Sequence, residues 1–223
     1  MFDIIFPHSH VGPFFVWNLE KRLYYLKEGG KIKAYLDVLA EEILKTSKTI
    51  IEDNSAFMGF PFGREHNIEV QLPFIKYCAQ EKDINIVPIK ISTKKLDNLD
   101  KISADIAKAI NSINKDIIIV ASSDMTHKQP TNIKKPKDDL ENMRKKDQEV
   151  INAFVEGDPQ KTFNAALQTS VCGPQTITSL MLTSKKLNAN QFKALKYYMS
   201  YEKGGGTGPC EYSVGYFSGI IMK

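Results

Sequence analysis

The sequence predicts an α/β protein, a single three-layer α/β sandwich about a mainly parallel central sheet, on three observations. Ile117-Ile118-Ile119-Val120 is a run of four β-branched apolar residues, the signature of a strand buried on both faces in the middle of a sheet. Leu96, Leu99, Ile102, Ile106, Ile110 and Ile113 recur at helical spacing just before it. Strand-like and helix-like segments alternate along most of the chain, which calls for helices packed on a sheet.

Taken in order, Phe2–Phe6 reads as a strand ended by Pro7, with His8-Ser9-His10 in the polar turn that follows. A chain opening in mid-strand suggests that an upstream β-α unit is missing, and whether Met1 is the native start stays open. Residues 14–31 are rich in aromatics, Trp17 among them, and read as an irregular excursion, a hairpin or a lid, or else a loop that patches an exposed edge of the core. Ile32, Tyr35, Leu36, Leu39, Ile43 and Leu44 predict a helix over 31–47, and Ile50-Ile51 a short strand. Residues 54–64, with two glycines, a proline and three phenylalanines, are a loop.

A helix begins near Glu65, its buried stripe marked by Ile68, Leu72 and Ile75. Pro73 demands a kink or a restart there. A strand over 84–91 and the amphipathic helix lead to Ile117–Val120. Beyond that strand a Lys- and Pro-rich loop precedes a helix over 138–155, stopped by Gly157. Asp158-Pro159 is a helix entry, Asp as N-cap and Pro at the first helical position. A further helix spans 175–186, strands span 192–201 and 212–222, and Gly204–Gly208 is a loop between them.

The bulk numbers narrow the classes. With 223 residues, 42 % of them hydrophobic, one domain can bury a core without disulfide or metal support. The net charge of +4 comes from scattered lysine clusters interleaved with acids, a solvated surface rather than a nucleic-acid groove. Cys78, Cys172 and Cys210 stand far apart with no C-x-x-C spacing, as in a reducing compartment. No run has the length of a membrane span, and the N-terminus lacks the layout of a signal peptide. A cytoplasmic protein without nucleic-acid or membrane partners is the expectation.

Chemistry-bearing residues concentrate where strands end. The buried strand runs into Ser122-Ser123-Asp124-Met125-Thr126-His127, and the carboxyl edge of a parallel sheet is where α/β folds place ligands. Asp124 is either a turn cap or a catalytic group, and His127 either its support or a general base that Asp124 orients. Ser123 belongs to the same turn. Cys172 stands just before a helix, where the dipole lowers a thiol pKa; the alternative is a small buried hydrophobe. His10 reads as a turn histidine or a metal ligand, and Glu65 and His66 as helix-entry residues or pocket groups. Spacing alone supplies no local metal motif.

These segments carry a resemblance. Glu65-His66-Asn67-Ile68-Glu69-Val70-Gln71-Leu72-Pro73-Phe74 resembles the E-H-S-I-E-V-Q-L-P-F signature of the Memo family, the B component of AmmeMemoRadiSam systems. Ser122–His127 is similar to that family's S-S-D-x-x-H, Cys172-Gly173 to its Cys-Gly ahead of a helix, Ser213-Val214-Gly215-Tyr216 to its S-V-x-Y strand, and Ser9-His10 to its Asn/Ser-His. The resemblance implies a single Memo-like domain over 1–223, related in fold to LigB-type extradiol dioxygenases and lacking the family's upstream P-H-A-G-Y segment.

It further implies His10 and Cys172 as metal ligands, Asp124 and His127 as neighbouring pocket residues, and copper or iron as the ion, with zinc also compatible with the donors. A radical-SAM enzyme and an Ammecr-type protein are the implied partners. Three functional readings stand side by side: a pocket that binds a redox-active metal, a metal-dependent dioxygenase or hydrolase, and a non-catalytic module that captures a peptide through the aromatics of residues 14–25.

Overall fold

The computed structural model describes residues 2–6, 14–16, 24–25, 31–32, 38–52, 68–80, 85–113 and 116–223. Contacts divide the chain into two units, Met1–Ser122 and Ser123–Lys223, at a point where the sequence carries no linker signal. Each is built from both helices and sheet, so the class is mixed α/β.

In the first unit, strands β1 (Phe2–Phe6), β2 (Phe14–Val16), β5 (Ile50–Glu52), β6 (Asn85–Lys90) and β7 (Ile117–Ala121) form one sheet in the order β5-β2-β6-β1-β7. β1 runs parallel to both β6 and β7, and β2 parallel to β5, but β2 meets β6 antiparallel. The sheet is therefore mixed. Short strands β3 (Tyr24–Tyr25) and β4 (Lys31–Ile32) pair antiparallel, the hairpin among the alternatives for this aromatic stretch. Lys31 and Ile32 thus belong to a strand, not to the helix predicted over 31–47, which is observed as α1 over Val38–Thr46.

Pro88 sits inside β6, where a proline would ordinarily break a ladder. The described pairing of β6 with β2 involves only Ile89 and Lys90, so Pro88 lies beyond its end and no ladder donor is missed on that side. Pro73 also finds a tolerated place. A 3-10 turn at Glu69–Gln71 gives way to helix α2 (Leu72–Ala79), so the proline falls in the first turn, where its missing N–H has no partner to lose. Helix α3 (Leu96–Ser112) buries Leu99, Ile102 and Ile106 as their spacing predicts and packs against α1, which buries Leu39 and Ile43.

β7 also differs from the expectation. It is the last strand in the described sheet order, not a central one, and Ile118 is 48 % exposed. An unbroken run of β-branched residues has no period-2 contrast, so the sequence alone could not tell a central strand from an edge strand.

The second unit contains β8 (His127–Lys128), α4 (Lys137–Val155), α5 (Pro159–Leu167), α6 (Pro174–Lys186), β9 (Gln191–Met199), α7 (Ser200–Lys203) and β10 (Ser213–Met222). β10 lies between β8 and β9, antiparallel to both. Gly157 ends α4 with a φ of 69°, a left-handed geometry that favours glycine. Asp158 then caps α5, its carboxylate accepting from the Lys161 amide at 2.9 Å. Helices α4 and α5 pack together, as do α5 and α6. Met125, Val150, Ile151, Ala166 and Val171 close a core that joins α4, α5 and the loops around β8 and α6. Among the described residues no helix is long and apolar enough to cross a membrane.

Candidate functional site

The second unit brings two loops side by side. One is the polar stretch after β7, Ser123 to His127; the other is the turn from Thr169 to Gly173 that opens α6. Two clasps join them. At one end the Asp124 amide donates to Cys172 Sγ at 3.2 Å, the Cys172 amide donates to the Asp124 carbonyl at 3.4 Å, and the Gly173 amide donates to Ser123 Oγ at 2.9 Å. At the other end Ser170 Oγ accepts from the His127 amide at 2.9 Å and donates to the His127 carbonyl at 2.7 Å.

This close approach explains the glycine. A Cβ at Gly173 would stand 2.8 Å from Ser123 Oγ and 2.9 Å from Ser123 Cβ, nearer than side chains tolerate. The Cys-Gly pair is thus a steric requirement for seating the sulfur on the Ser123-Asp124 backbone.

Cys172 is half-buried, with Ser123 Oγ 3.8 Å from its sulfur. Burial pushes the thiol above its ordinary value of 9.0, and the nearby Asp124 carboxylate adds to that; the Asp124 amide and the Ser123 hydroxyl pull the other way without prevailing. Burial thus works against the lowering expected at the start of α6.

His127 Nδ1 lies 3.0 Å from the Met125 carbonyl, which can fix the ring with Nδ1 protonated and Nε2 left as the lone-pair nitrogen. The imidazole is oriented by this backbone oxygen, not by the Asp124 carboxylate. Asp124 is exposed, and its charge reaches instead toward Tyr216 of β10: burial first, then Asp124 and Tyr198, hold that phenol above the usual tyrosine range.

Ser123, Asp124, His127 and Cys172 are therefore gathered by one pair of loops. His10, Glu65 and His66 lie outside the described residues, as does Trp17. Among the described residues no three of His, Cys, Asp or Glu converge as a metal would require. Of the metal donors implied by the resemblance, the described residues thus represent only the sulfur.

Two further residues, Gln71 in the first unit and Asp147 in the second, have no role assigned by the sequence signals above. Gln71 donates through Nε2 to Ser122 Oγ at 3.0 Å within the first unit, linking the two longest motifs. Asp147 of α4 is fully buried and accepts from the Thr126 amide at 2.9 Å and from the Tyr197 hydroxyl at 2.8 Å. Its signal was present in the sequence: it falls on the same helical stripe as Leu140, Met143, Val150 and Phe154, where a carboxylate is out of place unless a partner awaits it.

Comparison with known proteins returns one family. The family model described as "Memo-like protein" matches residues 30–220. A MEMO1 family protein of Pyrococcus abyssi is 30 % identical over 203 residues, covering 87 % of this chain and 66 % of its own length. One from Methanocaldococcus jannaschii is 30 % identical over 185 residues, covering 81 % and 58 %, and one from Methanosarcina barkeri is 33 % identical over 143 residues, covering 63 % and 50 %. The chain thus spans between half and two thirds of the length of these curated relatives. A crystal structure of an uncharacterized protein from Escherichia coli K12 aligns with a TM-score of 0.49 at 14 % identity, over 96 % of this chain and 84 % of that one.

Proposed function

The chain belongs to the Memo family, and from that premise we propose that Cys172 is the sulfur donor of a pocket that binds a redox-active metal, copper or iron. The observation that supports this is the seat of the sulfur. An amide donates to it at 3.2 Å, the kind of supporting hydrogen bond that orients a thiolate and leaves its other lone pairs for an ion. A soft sulfur with an imidazole suits copper or zinc and tolerates ferrous iron.

His10 is the imidazole donor that family membership suggests, with Asp124 and His127 beside the pocket. Because burial holds the Cys172 thiol protonated at neutral pH, taking up a metal releases that proton, and affinity rises with pH. The bound ion would supply electron transfer or Lewis-acid chemistry. The setting we propose for it is a system that also contains a radical-SAM enzyme and an Ammecr-type protein.

The test is metal loading of the full chain with cuprous or ferrous ion under anaerobic conditions, read by elemental analysis after desalting. The chain should retain metal, and Cys172→Ser and His10→Ala should each weaken retention by roughly tenfold or more. Unchanged stoichiometry in both variants would overturn the proposal.

A further inference from the structure

A second feature of the Ser123–Lys223 unit lies apart from the cysteine. A cleft of about 270 Å³ opens where α4, the turn after α5 and the Thr126–Lys128 segment meet. None of Ser123, Asp124, His127 or Cys172 lines it. Pockets for drug-sized molecules run from roughly 300 Å³ upward, so this one suits a small ligand.

Its chemistry has one sign. Lys128 and Lys146 supply two ammonium groups, Asn142 and Gln168 two amides, and no carboxylate is among its lining residues. The spacing is helical: Asn142 and Lys146 stand one turn apart on α4 and present to the same side. The side chains of Lys146, Asn142 and Gln168 make no hydrogen bond or ion pair with any described residue, so their donors remain available. Two carboxylates contact residues of the cleft, and neither defeats this. Asp139 holds Lys128 in an exposed pair at 3.6 Å, worth little in water, and Asp147 already accepts from the Thr126 amide and the Tyr197 hydroxyl.

Thr126 makes the independent observation. It is 3 % exposed, it lines the cleft, and its hydroxyl has no hydrogen-bond partner although its amide and carbonyl are both bonded. A buried hydroxyl without a partner is costly and uncommon. The oxygen is closed to solvent, so a ligand oxygen seated in the cleft meets it once the Thr126 side chain turns toward the opening.

We infer that this cleft binds a small tetrahedral oxyanion, phosphate or the phosphoryl group of a small molecule, through Lys146 and Lys128 with the Thr126 hydroxyl at its floor. The site is independent of the metal reading, since it uses neither Cys172 nor His10. Ser170, which lines the cleft, exchanges hydrogen bonds with the backbone of His127 and so holds the segment that carries Lys128.

Calorimetric titration of the full chain with inorganic phosphate, and separately with glycerol phosphate at matched ionic strength, tests it. Saturable binding of at least one of the two is expected, and the tighter of them identifies the source of the oxyanion. Lys146→Gln should weaken that binding roughly tenfold, the loss of one charge-assisted hydrogen bond. Thr126→Val should weaken it while keeping the fold, because the hydroxyl it removes bonds nothing; circular dichroism checks this, and if that variant unfolds, Lys146→Gln decides alone. Lys145→Gln, next along α4 but outside the cleft, should leave binding unchanged. No saturable binding of either probe, full binding by Lys146→Gln, or an equal loss in Lys145→Gln, which would mark a general charge effect, overturns the inference.

Discussion

Asp147, on the buried side of α4, accepts the backbone amide of Thr126 at 2.9 Å, and so ties the helix to the loop that carries Asp124 and His127. A charged acceptor buried this deeply is tolerated only while its donors stay in place. Asp147→Ala removes two hydrogen bonds to a carboxylate and leaves the Thr126 amide and the Tyr197 hydroxyl without partners. A loss of about 3 kcal/mol in urea unfolding is expected, with Asp147→Asn intermediate because it keeps one oxygen acceptor. A loss below about 1 kcal/mol would show that water replaces the carboxylate. The same crowding accounts for Gly215 in the S-V-x-Y strand: a Cβ there would run into the Asp147 carboxylate and approach Met125 Cβ to 3.1 Å.

Tyr197 converts this network into a pH dependence. Burial first, then the charge of Asp147 and the hydrogen bond donated to it, hold the phenol well above its ordinary value of 10.0. Unfolded, the group loses its proton near 10.0; folded, it keeps it to higher pH. The native state therefore binds more protons in that window. The resulting stabilisation is complete below 10.0 and fades as pH climbs through the folded value. Urea unfolding at about pH 8 and about pH 11 should show the wild type losing more stability than Tyr197→Phe. A residual slope in the variant is expected from Tyr216, also pushed upward. Equal slopes in the two proteins would mean that Tyr197 is not the group responsible.

How far the sequence alone reached depends on which residues carried local information. Asp158-Pro159 announced a capped helix start because both residue types act within one turn, and the capping bond is there. The stripe Leu99, Ile102, Ile106 was legible for the same reason. The pairing of Ser123 and Asp124 with Cys172 is separated by almost fifty residues, and no spacing rule reaches that far; only the family signature put them together. The composition of β7 is that of a central strand, whereas its position depends on which strands pair with it. Arg144, Lys145 and Lys146 make the segment around Asp147 read as solvated, although its register on α4 is that of a core residue.

Gly173 offers a direct measure of how tightly the two site loops are clasped. Gly173→Ala brings a methyl group within 3 Å of both Cβ and Oγ of Ser123. Overpacking of this kind costs about 1–3 kcal/mol, and part of that should appear as a shift of the loop that carries Cys172. Ser123→Gly removes both clashing atoms, so the double variant should lose less stability than the sum of the single losses. Strict additivity in thermal or urea unfolding would show that the loops separate freely. Thr176, whose Cβ stands 3.2 Å from the added carbon, limits the rescue to a partial one.

The three thiols should report the state of the site by their rates of alkylation. Cys78 is exposed, Cys172 half-buried and Cys210 3 % exposed, so peptide-resolved labelling with iodoacetamide should modify them in that order. The thiolate is the attacking species, and burial holds the Cys172 thiol above 9.0. Its rate should therefore climb about tenfold per pH unit through neutrality with no plateau below 9.0. A plateau at neutral pH would mean that the start of α6 and the Asp124 amide outweigh burial after all. Repeating the series after anaerobic loading with cuprous ion separates the two influences on the sulfur: a coordinated thiolate is shielded at every pH, so labelling of Cys172 should fall while Cys78 is unaffected. Equal protection of both cysteines would mark non-specific metal uptake, and would leave the burial of Cys172 as the sole control of its chemistry.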